Sequence, residues 1–177
     1  MSGSNAPAQN ASGAWSGNPA DNSGTLTVMR PTNHYAESGT YSANEADAYD
    51  NDTDTNASQT CVGETHATWF GRNTGDSDAW ESEPNFIGGV TIKAVWSRES
   101  STGTRAGAIT VVESDLTIVG LLAVNDLPAE SKTTTSLDVT AYKGDLADLR
   151  VLVASKSGFS GQQQFEVYET WIEGDVE

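Results

Sequence analysis

The clearest pattern in the chain is an alternation of apolar and polar residues that begins near Ile87. Val90, Ile92, Ala94 and Trp96 alternate with Thr91, Lys93, Val95 and Ser97, a period of two that predicts a strand with one face buried. Ala108–Val112, Leu116–Val124, Ser136–Thr140, Leu149–Ala154 and Gln164–Ile172 carry similar short runs of β-branched, aliphatic and aromatic residues. Upstream, Thr25–Arg30 reads as a strand stopped by Pro31, and Thr65–Phe70 as another. Between them, residues 31–65 read as one long polar loop, and residues 71–85 and 100–104 as turns. Residues 141–148 have room for a single helical turn. No segment carries an amphipathic helix pattern over three turns. Short strands spaced by Gly, Ser and Asp turns predict an all-β fold, an antiparallel two-sheet β-sandwich of jelly-roll type. The sandwich is expected to span residues 24–177.

Residues 1–23 are drawn from Ser, Gly, Asn, Ala and Pro, with Trp15 as a lone bulky side chain. Such a stretch cannot bury enough surface to fold alone, so it is expected to be an extended arm that docks on a neighbour through Trp15. It lacks the basic and apolar regions of a secretory signal, and no run of residues is long and apolar enough to span a bilayer.

Charge narrows the function. The 177-residue chain has 25 acidic and 9 basic residues, a net charge of −16. A surface this negative repels phosphate backbones and anionic membranes, so neither nucleic acid nor membrane is an expected partner. Cys61 is the one cysteine, which leaves no intrachain disulfide and no thiolate zinc site. His66 lies five residues from Cys61, but the pair is read as ordinary packing rather than as a nucleophile and its base.

Tyr49-Asp-Asn-Asp-Thr-Asp-Thr55 is the sharpest local feature. Asp50, Asp52 and Asp54 alternate, so a curled loop could turn three carboxylates onto one Ca²⁺. The run is not an EF-hand, because Thr55 stands where that loop needs glycine and Cys61 where it needs glutamate. The competing reading is a solvated turn cluster. Asp76 and Asp78, near Trp80, Glu81 and Glu83, form a second acidic stretch. Trp69, Trp96 and Trp171 fall in strand patterns and are expected in the core. Trp80 falls in loop sequence, where it could stack on a sugar ring or pin the loop. The chain has no nucleophile elbow, no His-Glu-x-x-His and no phosphate loop, so no catalytic residue is assigned and no reaction is expected.

Three segments give the chain a resemblance. Ala43–Thr55 leads to the Trp69 strand, Phe86–Trp96 alternates, and Leu149–Val153 followed by Phe165–Ile172 forms a closing pair. Together they resemble the small β-sandwich structural proteins of tailed bacteriophages, over about half the chain. That resemblance implies a virion protein made in the host cytoplasm, most simply a capsid decoration or cement protein on the outside of the particle. Its partners would be the major capsid protein or other virion proteins and further copies of itself, a trimer by the habit of such proteins. No cofactor is implied beyond the possible Ca²⁺. The alternative is a tail- or fibre-associated adhesin module that binds glycans with Ca²⁺, using Asp50, Asp52, Asp54 and Trp80.

Overall fold

The structure is a computed structural model and describes residues 25–38, 44–61, 65–71, 80–98, 105–157 and 163–176. The expected arm with Trp15, and Asp76 and Asp78, lie outside the described residues. Among the described residues, eleven strands run in the order β1 Thr25–Met29, β2 His34–Ser38, β3 Ala57–Cys61, β4 Thr65–Gly71, β5 Asn85–Arg98, β6 Arg105–Glu113, β7 Ile118–Val124, β8 Thr133–Asp138, β9 Gly144–Asp145, β10 Leu149–Ser157 and β11 Gln163–Val176. Short 3-10 turns at Glu45–Ala48 and Leu146–Asp148 are the helical content, and no helix among the described residues is long and apolar enough to cross a membrane.

All the strand pairs are antiparallel. Sheet one has β11 and β5 at its centre. β1 and β3 pair with different stretches of the far edge of β11, and β8 and β9 do the same on β5. Sheet two runs β2-β4-β10-β6-β7. Consecutive strands repeatedly pass from one sheet to the other, and the two sheets close as a β-sandwich of jelly-roll type.

Alternation explains the core. In β5, Val90, Ile92, Ala94 and Trp96 are fully buried; beside Phe165, Val167 and Ile172 of the neighbouring β11, they share one core with Ile109 and Val111 of β6 and Val151 and Val153 of β10 in the other sheet. The Trp96 indole N–H donates to Thr135 Oγ1 at 2.8 Å, which satisfies the polar end of the largest buried side chain. The long segment read as a loop contains two further strands. β2 and β3 are short and polar, and among the described residues each pairs on one side only, with β4 and β11 respectively. Leu116, read as the start of a strand, lies instead in the β6–β7 turn with φ 70°.

Candidate functional site

The acidic loop folds on itself. Asp50 Oδ1 accepts from the Asp52 N–H at 2.9 Å, and Asp52 Oδ1 accepts from the Asp54 N–H at 2.8 Å. Thr55 Oγ1 donates to Asp50 Oδ2 at 2.8 Å. Asp54 faces Lys132, whose ammonium is 3.2 Å from its Oδ1 and also reaches the Thr53 carbonyl. Asp50 and Asp52 therefore make successive Asx turns, each with one oxygen accepting from an N–H two residues on, while Asp54 pairs with Lys132. Among the described residues, no three His, Cys, Asp or Glu side chains are grouped to hold a metal ion. Asp50, Asp52 and Asp54 are near one another in the chain without converging on a common point.

This loop rests beside a buried ion pair. Glu169 is 2% exposed, and its Oε1 lies 3.2 Å from Arg30 Nε. Burial holds the Glu169 carboxyl above its usual value. Arg30 and the Asn51 N–H pull it back down, and Asp50 pushes it up again. Lys132 also sits over the Tyr168 ring at 4.6 Å, and Tyr168 donates to Glu166 Oε2 at 2.8 Å. The contact fastens the loop to the outer surface of sheet one.

Trp80 is buried, at 3% exposure, so its ring faces cannot stack on a sugar. It bridges to Pro31, and its neighbour Glu81 donates its N–H to the Arg30 carbonyl at 2.9 Å. The ring packs under Gly71 at the end of β4. Trp80 therefore pins its own loop to its own domain.

Trp69 and Trp171 are not core residues. Thr68 and Phe70 point inward from β4, which turns Trp69 outward. In β11 a register shift between Val167 and Glu169 changes the phase, so Thr170 and Ile172 face the core and Trp171 faces out. Both tryptophans are half-buried. Trp171 lies beside Lys93 and Glu173: its N–H donates to Glu173 Oε1 at 2.8 Å, and Lys93 Nζ is 2.7 Å from Glu173 Oε2.

The outer face of sheet two has a different character. Cross-strand registers set Trp69, Leu152, Thr110 and Leu121 in one row, and Gly71, Arg150, Val112 and Ile118 in the next. Ala154, Ala108 and Ala123 make a third row, beside a shallow apolar hollow of about 250 Å³. No described side chain on this face is a carboxylate. Ile118 and Leu121 are 65% and 61% exposed, and Leu116 at the adjoining turn is 62% exposed. Arg150 is the one described cation of the face, and its buried Nε meets no acceptor among the described residues. This face was hidden in the sequence, because its residues alternate with core residues on four strands.

No family model matches the chain, and no curated protein does. Among solved structures it is similar to the carbohydrate-binding module TmCBM61, seen in complex with β-1,4-galactotriose. That match is 10% identical, covers 88% of this chain and 97% of that one, and has a TM-score of 0.43. A chain of the infectious bursal disease virus Gx strain structure is 14% identical, with 86% of this chain covered and a TM-score of 0.39. This protein spans 32% of that viral chain. The Clostridium thermocellum xylanase 10B CBM22-1–GH10 modules, complexed with xylohexaose, are 13% identical, with 84% and 29% coverage and a TM-score of 0.32. Similarity this distant carries no argument about function, and the sandwich assignment rests on the strand pairing itself.

Proposed function

We propose that this protein is a non-enzymatic structural component of a larger assembly, joined to its neighbours through the outer face of sheet two. The observation behind this reading is that face: aliphatic, without described carboxylates, and carrying highly exposed Ile118 and Leu121 on a chain of net charge −16. Contiguous exposed apolar surface marks interaction sites. On a molecule this acidic, two copies repel least where neither presents an acid. The four strands β4, β10, β6 and β7, at about 4.8 Å spacing and about eight residues of length, give roughly 500 Å² per copy, so covering the face buries about 1,000 Å² over the two partners, near the lower bound for a specific interface. The finer form is a capsid decoration protein of a tailed phage, displayed on the virion as a closed homo-oligomer, a trimer as the phage resemblance implies, in which this face of each copy meets a different surface of the next.

The test is solution mass by light scattering, for the full chain and for Ile118→Lys with Leu121→Lys. An oligomer that falls to a monomer in the double variant, with an unchanged circular dichroism spectrum, supports the reading. A monomeric full chain that binds on a glycan array refutes it and favours the second reading, a glycan-binding module. One observation supports that second reading: Trp171 is half-buried on the polar outer face of sheet one, flanked by Lys93, Glu173 and Ser136. Rings set among hydrogen-bonding groups suit sugars, and there Trp171 takes the place first considered for Trp80.

A further inference from the structure

β7 is the terminal strand of sheet two, bonded to β6 on one side. On its other side it pairs with no strand among the described residues, so a row of its N–H and C=O groups faces away from the sheet. Proteins usually protect such an edge with charge or proline. From Leu116 to Asn125 this chain has neither. Beyond the edge, a cleft of about 530 Å³ separates β7 from the 137–142 segment that follows β8. Its walls include Val119, Gly120 and Leu121 on one side and Val139, Thr140 and Tyr142 on the other. The cleft is closed at its floor, where Gly120 packs against Val139 and Leu137, and opens outward beside the β7 edge.

The ends of this edge are acidic. Glu113 and Asp115 stand at the β6–β7 turn, and Asp126 follows β7. Asp138 lines the cleft and accepts from Thr91 Oγ1 at 3.1 Å. Glu113, Asp145 and Asp148 surround Tyr142, whose hydroxyl is pushed up to about 12 by burial and then by these three charges. Asp126 is already paired with Arg98 at 3.4 Å, and Lys143 adjoins Tyr142 in the chain, so the uncompensated acids lie mainly at the Glu113 end of the edge. An antiparallel pairing of β7 with a second copy would bring Glu113 and Asp115 of one chain toward Asp126 of the other, and like charges so placed repel.

From these features we infer that β7 and its cleft form a strand-addition site for an extended segment of another protein, apolar or small at alternate positions and flanked by Lys or Arg. The backbone edge supplies the ladder, the outward-opening cleft takes the side chains on one face of the added strand, and the rim acids select the flanks. This site shares β7 with the outer face of sheet two, Leu121 included, but uses the backbone edge of the strand rather than its outward side chains.

The test uses the full chain and a labelled peptide of alternating Val and Thr with two Lys at each end, compared with the same peptide ended in Glu. Fluorescence anisotropy gives affinity at two salt concentrations, and hydrogen exchange reads the amides of residues 118–124. The Lys-ended peptide is expected to bind at least about tenfold more tightly than the Glu-ended one, more weakly at high salt, with β7 amides protected. Glu113→Lys with Asp148→Lys is expected to erase most of that preference. Thr134→Lys, exposed on the opposite sheet, leaves it unchanged. Equal binding of the two peptides, or binding without protection of β7, overturns the inference. So does protection of β7 that rises with protein concentration in the absence of peptide, which would show self-pairing. Peptide binding and its charge preference do not depend on the oligomeric state that the mass measurement reads, whereas self-pairing at β7 would show in that mass as well.

Discussion

Replacing Gly71 by alanine tests the packing that places Trp80. Gly71 ends β4 with φ +90°, a left-handed backbone that alanine adopts at a cost of about 1–2 kcal/mol. A Cβ there would lie 2.4 Å from Trp80 Cζ2, 2.6 Å from Cε2 and 2.8 Å from Nε1. Ordinary carbon contacts are about 3.5–4.0 Å, so the indole would have to retreat by about 1 Å. At 3% exposure it has no open space to retreat into, and overpacking of this kind costs about 1–3 kcal/mol. Gly71→Ala should therefore lose about 2–5 kcal/mol, against a total stability of about 5–15 kcal/mol. For a chain of this size that is a fall in Tm of about 4–20 °C. Thermal and urea unfolding followed by tryptophan fluorescence would measure it. Combined with Trp80→Phe, which removes most of the clashing ring, Gly71→Ala should cost only the backbone portion. A loss under about 0.5 kcal/mol in the wild-type background would refute the placement of Trp80 under β4.

Three further outcomes follow from the described contacts. Folding holds the Glu169 carboxyl above its ordinary value of 4.5, so its contribution to stability is full below that pH and is lost as pH rises through the raised value. Glu169→Gln should flatten the decline of the urea midpoint above pH 4.5 and leave the protein at least as stable as wild type at neutral pH, despite the lost pairing with Arg30. Thr135→Val strands the buried Trp96 N–H and should cost about 1–3 kcal/mol in urea unfolding. Because Asp50 and Asp52 already accept from their own loop, millimolar Ca²⁺ should raise Tm by less than about 1 °C, and a shift of several degrees would show the loop reorganising around an ion.

The strands legible in the sequence were those with apolar residues at every second position, such as β5, β6 and β10. β2 and β3 escaped because Ala57-Ser-Gln-Thr-Cys61 is polar and small, and an edge strand needs less apolar surface than a central one. The run Leu116–Val124 was legible as a strand, but its first residue turns the chain with positive φ, which hydropathy does not encode. Trp171 was misplaced for a different reason. A simple alternation from Phe165 and Val167 would put Trp171 inside. One extra residue near Tyr168 reverses the phase, and a single-residue slip exchanges the two faces of a strand.

The candidate site shows the same division between local and assembled features. Asp-Asn-Asp-Thr-Asp fits two outcomes equally well at the level of spacing, because alternate carboxylates suit both an ion loop and a chain of Asx turns. What decides is where each oxygen finds its first donor. Here the donors are backbone N–H groups two residues on, together with Thr55 and Lys132, and they arrive before any convergence on a common centre. The face of sheet two is the reverse case. Each of its strands contributes two or three apolar residues that pass for core in a linear reading, since hydropathy does not say which face of a strand is covered. Only the registers of β4, β10, β6 and β7 bring Trp69, Leu152 and Leu121 into one row. An apolar residue count that exceeds what the core uses is thus the sequence trace of an interaction face, and it becomes specific only when strand pairing shows that the surplus is contiguous.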